Sequence, residues 1–243
     1  MNNKIINENL IHQIYKKYQE VYNVLLPKIT KIIFTSNNRY WAQFLTEDLY
    51  NKKYILYVDN DTMSKNKKFI KQILFHEFTH LCDSLQFLDK PLKEFKNIMY
   101  SYSEFHASKR EMIERLKQIE NDNITLHTEI VHVGKLTIES FIQQSVKNAI
   151  KDLNNMSQNN NINNFFFDTS SMYYLYGYLN ALKSININYE IDIFKFPIIF
   201  LPQINELQNV LLKENVNVEE VILLHCKLED RIEKQYFLNK NGI

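Results

Sequence analysis

Ile11, Ile14, Tyr15, Tyr18, Val21, Tyr22 and Leu25 recur at steps of three and four, so residues 5–26 are expected to form an amphipathic helix that Pro27 ends. The period then changes. Lys31 to Thr35, Tyr40 to Leu45 and Lys53 to Val58 are short runs rich in aromatic and β-branched side chains; they predict three strands, with Thr46 to Asn51 as the turn between the last two. Helical spacing returns over 65–88, where Ile70, Leu74, Phe78, Leu81, Leu85 and Leu88 share a face. It resumes over 92–120 behind the turn Asp89-Lys90-Pro91 and stops at Asn121-Asp122-Asn123. A strand at 126–133 and a helix at 136–156 follow. The Asn-rich stretch 158–164 reads as a linker, and beyond it lie helices at 169–183 (capped by Asp168), 203–213 and 218–238. The expected class is α+β and mainly helical. A small antiparallel or mixed sheet packs on a central helix within residues 1–157, and 165–243 adds a helical C-terminal part packed on that core.

The central helix carries His76-Glu77-Phe78-Thr79-His80. Histidines four apart on a helix lie on one face, about 6 Å apart in rise, and both imidazoles can reach one zinc ion. Glu77, beside the first, is then placed to take a proton from a metal-activated water. A shuffled chain of this composition shows the pattern in only roughly 1–2% of cases. The competing reading is an ordinary amphipathic helix with two surface histidines.

Zinc held by two His needs a further protein ligand. If the helices at 65–88 and 92–120 form an antiparallel hairpin turning near residue 90, His76 mirrors to about 104 and His80 to about 100. Glu104 then lies at the metal level, while Glu94 lies too near the turn and Glu111 and Glu114 too far from it. Ser101, Ala107 and Ser108 are small, which lets two backbones approach. His106 is the rival ligand, and a solvated surface acid is the alternative for Glu104. Asp83 shares the face of His76 and His80 and is a candidate to hold a ligand imidazole from behind.

The His-Glu-x-x-His followed by Glu104-Phe105-His106-Ala107 resembles the compact gluzincin zinc metallopeptidases, and most closely the phage- and mobile-element-associated ImmA/IrrE-like group. The resemblance covers residues 30–120. It implies a zincin-like core, Zn²⁺ bound by His76, His80 and Glu104, and Glu77 as general base. It also implies a protein or peptide substrate in the cytoplasm, such as a repressor of a mobile element. The chain departs from the group after Ala107, where Ser108-Lys109-Arg110 replaces the usual continuation. A metal-binding regulatory protein without turnover is therefore the alternative. The resemblance further implies a His or Tyr that stabilises the oxyanion of the tetrahedral intermediate. Candidates are His127, His132, Tyr173, Tyr174 and Tyr176. His225, among Val221, Ile222, Leu228 and Ile232, reads as a packed histidine, and His12 is set aside.

Composition narrows the field. A net charge of +1 gives no field to recruit nucleic acid or an anionic membrane, and the cluster Lys65, Lys67, Lys68 and Lys71 reads as a solvated helix start. No run of apolar residues is long enough to span a bilayer, and the N-terminus lacks a signal-peptide core. The two cysteines, Cys82 and Cys226, stand far apart and fit a reducing compartment. The expectation is a cytoplasmic protein with neither a nucleic-acid nor a membrane partner.

Overall fold

The structure is a computed structural model that describes residues 2–36, 40–120, 123–158 and 165–240. Helix α1 (Asn2–Tyr22) lays Ile11, Tyr15 and Tyr18 against α3 (Lys67–Gln86), as its apolar spacing requires. Tyr15 and Tyr18 meet Phe78 and Phe75 edge-on, with ring centroids 4.8 and 5.2 Å apart. The helix ends at Tyr22, ahead of Pro27, because Asn23 takes a left-handed φ of 50°, a conformation its short polar side chain tolerates.

Strands β1 (Lys31–Thr35), β2 (Ala42–Phe44) and β3 (Ile55–Asp59) form a sheet of order β1-β3-β2. β1 pairs parallel to β3 and β2 pairs antiparallel to it, so the sheet is mixed. The segment expected to turn between β2 and β3 is a short helix, α2 (Thr46–Tyr50), which buries Leu49. Asn66 caps α3 by accepting from the Lys68 N–H at 2.8 Å. Fourteen consecutive or near-consecutive positions of α3 would be unusual for a surface helix; here Leu74 through Ser84 are all buried, since the helix is covered on every side.

The expected helix at 92–120 is interrupted. α4 (Leu92–Ile98) passes through a wide π turn (Met99–Ser103) into α5 (Glu104–Leu116). Ser101 Oγ donates to the Asn97 carbonyl at 2.5 Å, competing with the backbone ladder where it loosens. The expected strand at 126–133 is half of a hairpin, β4 (Glu129–Val131) with β5 (Lys135–Thr137). Four helices follow: α6 (Ile138–Gln158), α7 (Phe165–Lys183), α8 (Leu201–Leu211) and α9 (Val218–Lys240). α7 begins at Phe165, so Asp168 lies within the helix and not at its cap. Asn121 and Asp122 of the expected stop, and 159–164 of the Asn-rich linker, lie outside the described residues.

The chain is thus α+β, largely helical, with a small mixed sheet and a helical C-terminal part. Its apolar side chains gather in two cores. One joins α1, the sheet, α3 and Phe95 of α4. The other joins Phe105, Met112 and Leu116 of α5 to the helices after residue 138. Helices α3 and α5 form the seam. They run antiparallel, as the cross-links Asp83–Ser103, His76–Glu111, Lys71–Glu114 and Gln72–Gln118 show by their order.

Candidate metal centre

One turn apart on α3, His76 and His80 point their rings to the same side, with centroids 4.8 Å apart. Glu104, the first residue of α5 after the π turn, meets them. Its Oε2 lies 3.5 Å from His76 Nε2 and 3.3 Å from His80 Nε2. The three donor atoms all lie within 4.8 Å of one another. That oxygen is buried and makes no hydrogen bond. A buried carboxylate oxygen facing two imidazole nitrogens without hydrogen bonding to either is an arrangement that could hold a cation. Two imidazole nitrogens and a carboxylate oxygen are a donor set that suits zinc.

Each imidazole is held from behind. His80 Nδ1–H donates to Ser103 Oγ at 2.9 Å, and the Ser103 hydroxyl donates to Asp83 Oδ2 at 2.9 Å. His76 Nδ1–H donates to Glu111 Oε2 at 3.1 Å. Glu111 is fixed in turn by Arg115 and by the Tyr178 hydroxyl at 3.3 Å, while Arg115 also donates to the Val131 carbonyl at 2.6 Å. These bonds set the tautomer that leaves both Nε2 atoms for the shared point.

Glu77 sits beside the triad and accepts from the Phe44 N–H of β2 at 3.1 Å through Oε2. Burial lifts its carboxyl to about 7, against the pull of His80 and His76. For Glu104, burial works upward, but the two imidazoles prevail and hold it well below the usual carboxylate range. His76 is raised: burial opposes its charge, and Glu104 and Glu111 on either side outweigh it. A cation held by His76, His80 and Glu104 would take the place of that proton and lower Glu77.

Two cavities open from this point. One, of about 470 Å³, runs past His76 and Glu77 towards Trp41 and Phe141. The other, of about 780 Å³, runs past His80 and Glu104 towards Glu47, Lys96 and Asp152. Tyr174 of α7 borders both, and its ring lies 5.4 Å from that of His76. Burial, with Glu104 and Glu77 nearby, keeps its hydroxyl protonated far above its ordinary range, hence a hydrogen-bond donor.

The other expected residues scatter. Tyr173, next to Tyr174 in the chain, turns into the second core, with its hydroxyl 2.9 Å from His225 Nδ1. Adjacent helical positions face about 100° apart, which is why only one of the pair reaches the site. Tyr176 also lies in that core, its hydroxyl 3.5 Å from Gln208 Oε1. His127 is exposed and pairs with Glu139 at 3.4 Å, since the hairpin turns it outward. His132 borders the smaller cavity along with His76 and Glu77, its ring between Phe69 and Phe141. His106 does not join the triad; its Nδ1 lies 2.9 Å from Asp83 Oδ1. Asp83 therefore reaches His80 through Ser103 and has no direct bond to it. Glu94 pairs with Lys90, and Lys71 of the basic cluster with Glu114.

Ser103, Glu111, Arg115 and the Phe44 N–H are the parts that sequence reasoning missed. For two of them a signal existed. Glu104, Glu111 and Arg115 fall at i, i+7 and i+11, one face of one helix. Compared with known proteins, the chain matches no protein family, no curated protein and no solved structure.

Proposed function

We propose that this protein is a zinc-dependent peptidase of the His-Glu-x-x-His type. The observation that carries the reading is the convergence of His76, His80 and Glu104 on one point, with Glu77 beside it and open cavities on both sides. The resemblance of residues 30–120 to gluzincins of the ImmA/IrrE-like group supports the same reading, and so does the donor set, two imidazoles and a carboxylate. A divalent cation held by His76, His80 and Glu104 would supply Lewis acidity to activate water and polarise an amide carbonyl.

The residues do the rest. Glu111 and Ser103 keep both imidazoles in the tautomer that ligates. Glu77, buried beside the cluster, takes a proton from the attacking water on a carboxylate oxygen and returns it to the leaving nitrogen. The Phe44 N–H holds the other side of that carboxylate in register. Tyr174, a protonated donor at the rim, is placed to stabilise negative charge on the carbonyl oxygen. Both cysteines are free, and no helix among the described residues is long and apolar enough to cross a membrane. Both facts are consistent with a cytoplasmic protein substrate, such as a regulator of a mobile element.

The test is elemental analysis of the purified protein together with peptide turnover. Zinc at one equivalent is expected, retained in Glu77→Gln with turnover lost by at least about 100-fold, and lost in His76→Ala and Glu104→Ala. Zinc that persists in Glu104→Ala moves the third ligand elsewhere. Full activity of Glu77→Gln removes the mechanism. Iron in place of zinc redirects the chemistry, since the same three donors suit non-haem Fe(II). A zinc-loaded protein that cleaves no peptide leaves the regulatory alternative.

A further inference from the structure

The two cavities beside the ligand cluster differ in chemistry. The larger carries Glu47, Lys96 and Asp152. The smaller has apolar walls made by Trp41, Ile73, Leu136 and Phe141. It is also lined by Arg115 and Glu111, which pair with each other; Arg115 donates further to the Val131 carbonyl through Nη1, leaves its Nε without a partner among the described residues, and lies 5.0 Å from the Phe141 ring centroid. The two charges offset one another, so neither stands uncompensated for an entering side chain. A charged side chain entering there loses its hydration without gaining a counter-ion. At about 470 Å³ the cavity is within the range of about 300–1,000 Å³ that holds small organic groups.

Its walls come from distant parts of the chain. Trp41 precedes β2 and Ile73 lies on α3, whereas Leu136 and Phe141 belong to β5 and α6. The last two lie beyond residue 120, outside the stretch that resembles the gluzincins. The pocket exists only because segments after residue 120 cover the motif helix. It begins at His76 and Glu77, so a group seated in it is adjacent to the reacting point.

We infer that this pocket seats a large apolar side chain, aromatic or of leucine size, next to the peptide bond to be cut. The segments after residue 120 thereby set the substrate class. The inference rests on the peptidase reading for its location, but it is separately testable, because Trp41 is the only tryptophan in the chain and forms part of the wall.

The probe is a series of blocked hexapeptides that differ at one central residue: Gly, Ala, Leu, Phe, Lys or Glu. Binding is read from Trp41 fluorescence in the zinc-loaded Glu77→Gln protein, and turnover is read with the zinc-loaded wild type. The Phe and Leu peptides are expected to shift Trp41 emission and bind at least about tenfold more tightly than the Gly, Lys and Glu peptides. Gln144→Phe, an exposed change at the mouth, is expected to narrow the pocket and move the preference towards Ala. Equal binding across the series, or tightest binding of Lys or Glu, overturns the inference. So does wild-type turnover that is indifferent to the varied residue, and that result leaves the peptidase reading intact. Discriminating binding with no cleavage of any peptide does the reverse: the pocket stands and the peptidase reading falls.

Discussion

Ser103 and Glu111 each hold one of the two motif imidazoles, yet their surroundings make them unequal. Ser103 is small, buried and bonded onward to Asp83, so replacing it removes one hydrogen bond and little packing. Ser103→Ala is expected to weaken zinc about 10–100-fold in competition with a chelator, with folding stability nearly unchanged. Glu111 also neutralises Arg115, which is 2% exposed. Glu111→Ala strands that charge, so it is expected to weaken zinc and also to destabilise the fold by about 3–5 kcal/mol, read from urea unfolding. Equal stability of the two variants would show that Arg115 finds another partner. The difference between them depends on burial, which the letters of the sequence do not display.

At the scale of elements, the seam between α5 and α7 decides whether the site is covered. The two backbones approach at Gly177, where an added Cβ would lie 2.4 Å from the Phe105 carbonyl oxygen and 2.9 Å from the Lys109 nitrogen. Ser108 completes the contact, its Cβ 2.8 Å from the same point. The small residues read beforehand as easing the approach of α3 thus include one that serves α7. Gly177→Ala puts a methyl group against backbone that has no rotamer to change, so the helices must part. The expected cost is about 1–3 kcal/mol by urea or thermal unfolding. Tyr174 and Tyr178 ride on the same helix, so peptide turnover is expected to fall as well, whereas zinc affinity, set by α3 and α5, is expected to fall less. The π turn before α5 belongs to this scale too. It inserts a wider turn at Met99–Ser103 and sets the phase that presents Ser103 to His80 and Glu104 to both histidines.

Over the whole molecule, the second core contains a titratable group with no part in the site. His225 is fully buried, 2.9 Å from the Tyr173 hydroxyl, and burial pushes its pKa from 6.5 down to about 3. The unfolded chain binds this proton below about pH 6.5 and the folded chain does not until about pH 3. Its contribution to stability is therefore complete above pH 6.5 and is lost as the pH falls through that window. Between pH 7 and pH 4.5 the loss is on the order of 2–3 kcal/mol. His225→Gln removes this contribution, so the variant is expected to lose less stability than the wild type between those two pH values in urea titrations. Parallel losses in both proteins would mean that His225 takes up its proton within the folded core.

The α+β class, the motif helix, the small sheet and the His76–His80–Glu104 convergence were legible in the order of residues. All of them rest on short-range periodicity or on a hairpin whose two arms are separated by a single turn. Arithmetic along a helix of constant rise is enough to bring those side chains level. The same arithmetic could not separate Tyr174, which borders the site, from Tyr173, which packs on His225, because that choice depends on how α7 is rotated against α5. Nor could it place Trp41 opposite Phe141, or bring the Phe44 N–H to Glu77. Those meetings join segments tens of residues apart, and they follow from the packing of two cores against a common pair of helices. The chain's local rhythm specifies which atoms form the centre; the long-range packing specifies what surrounds it and what can approach.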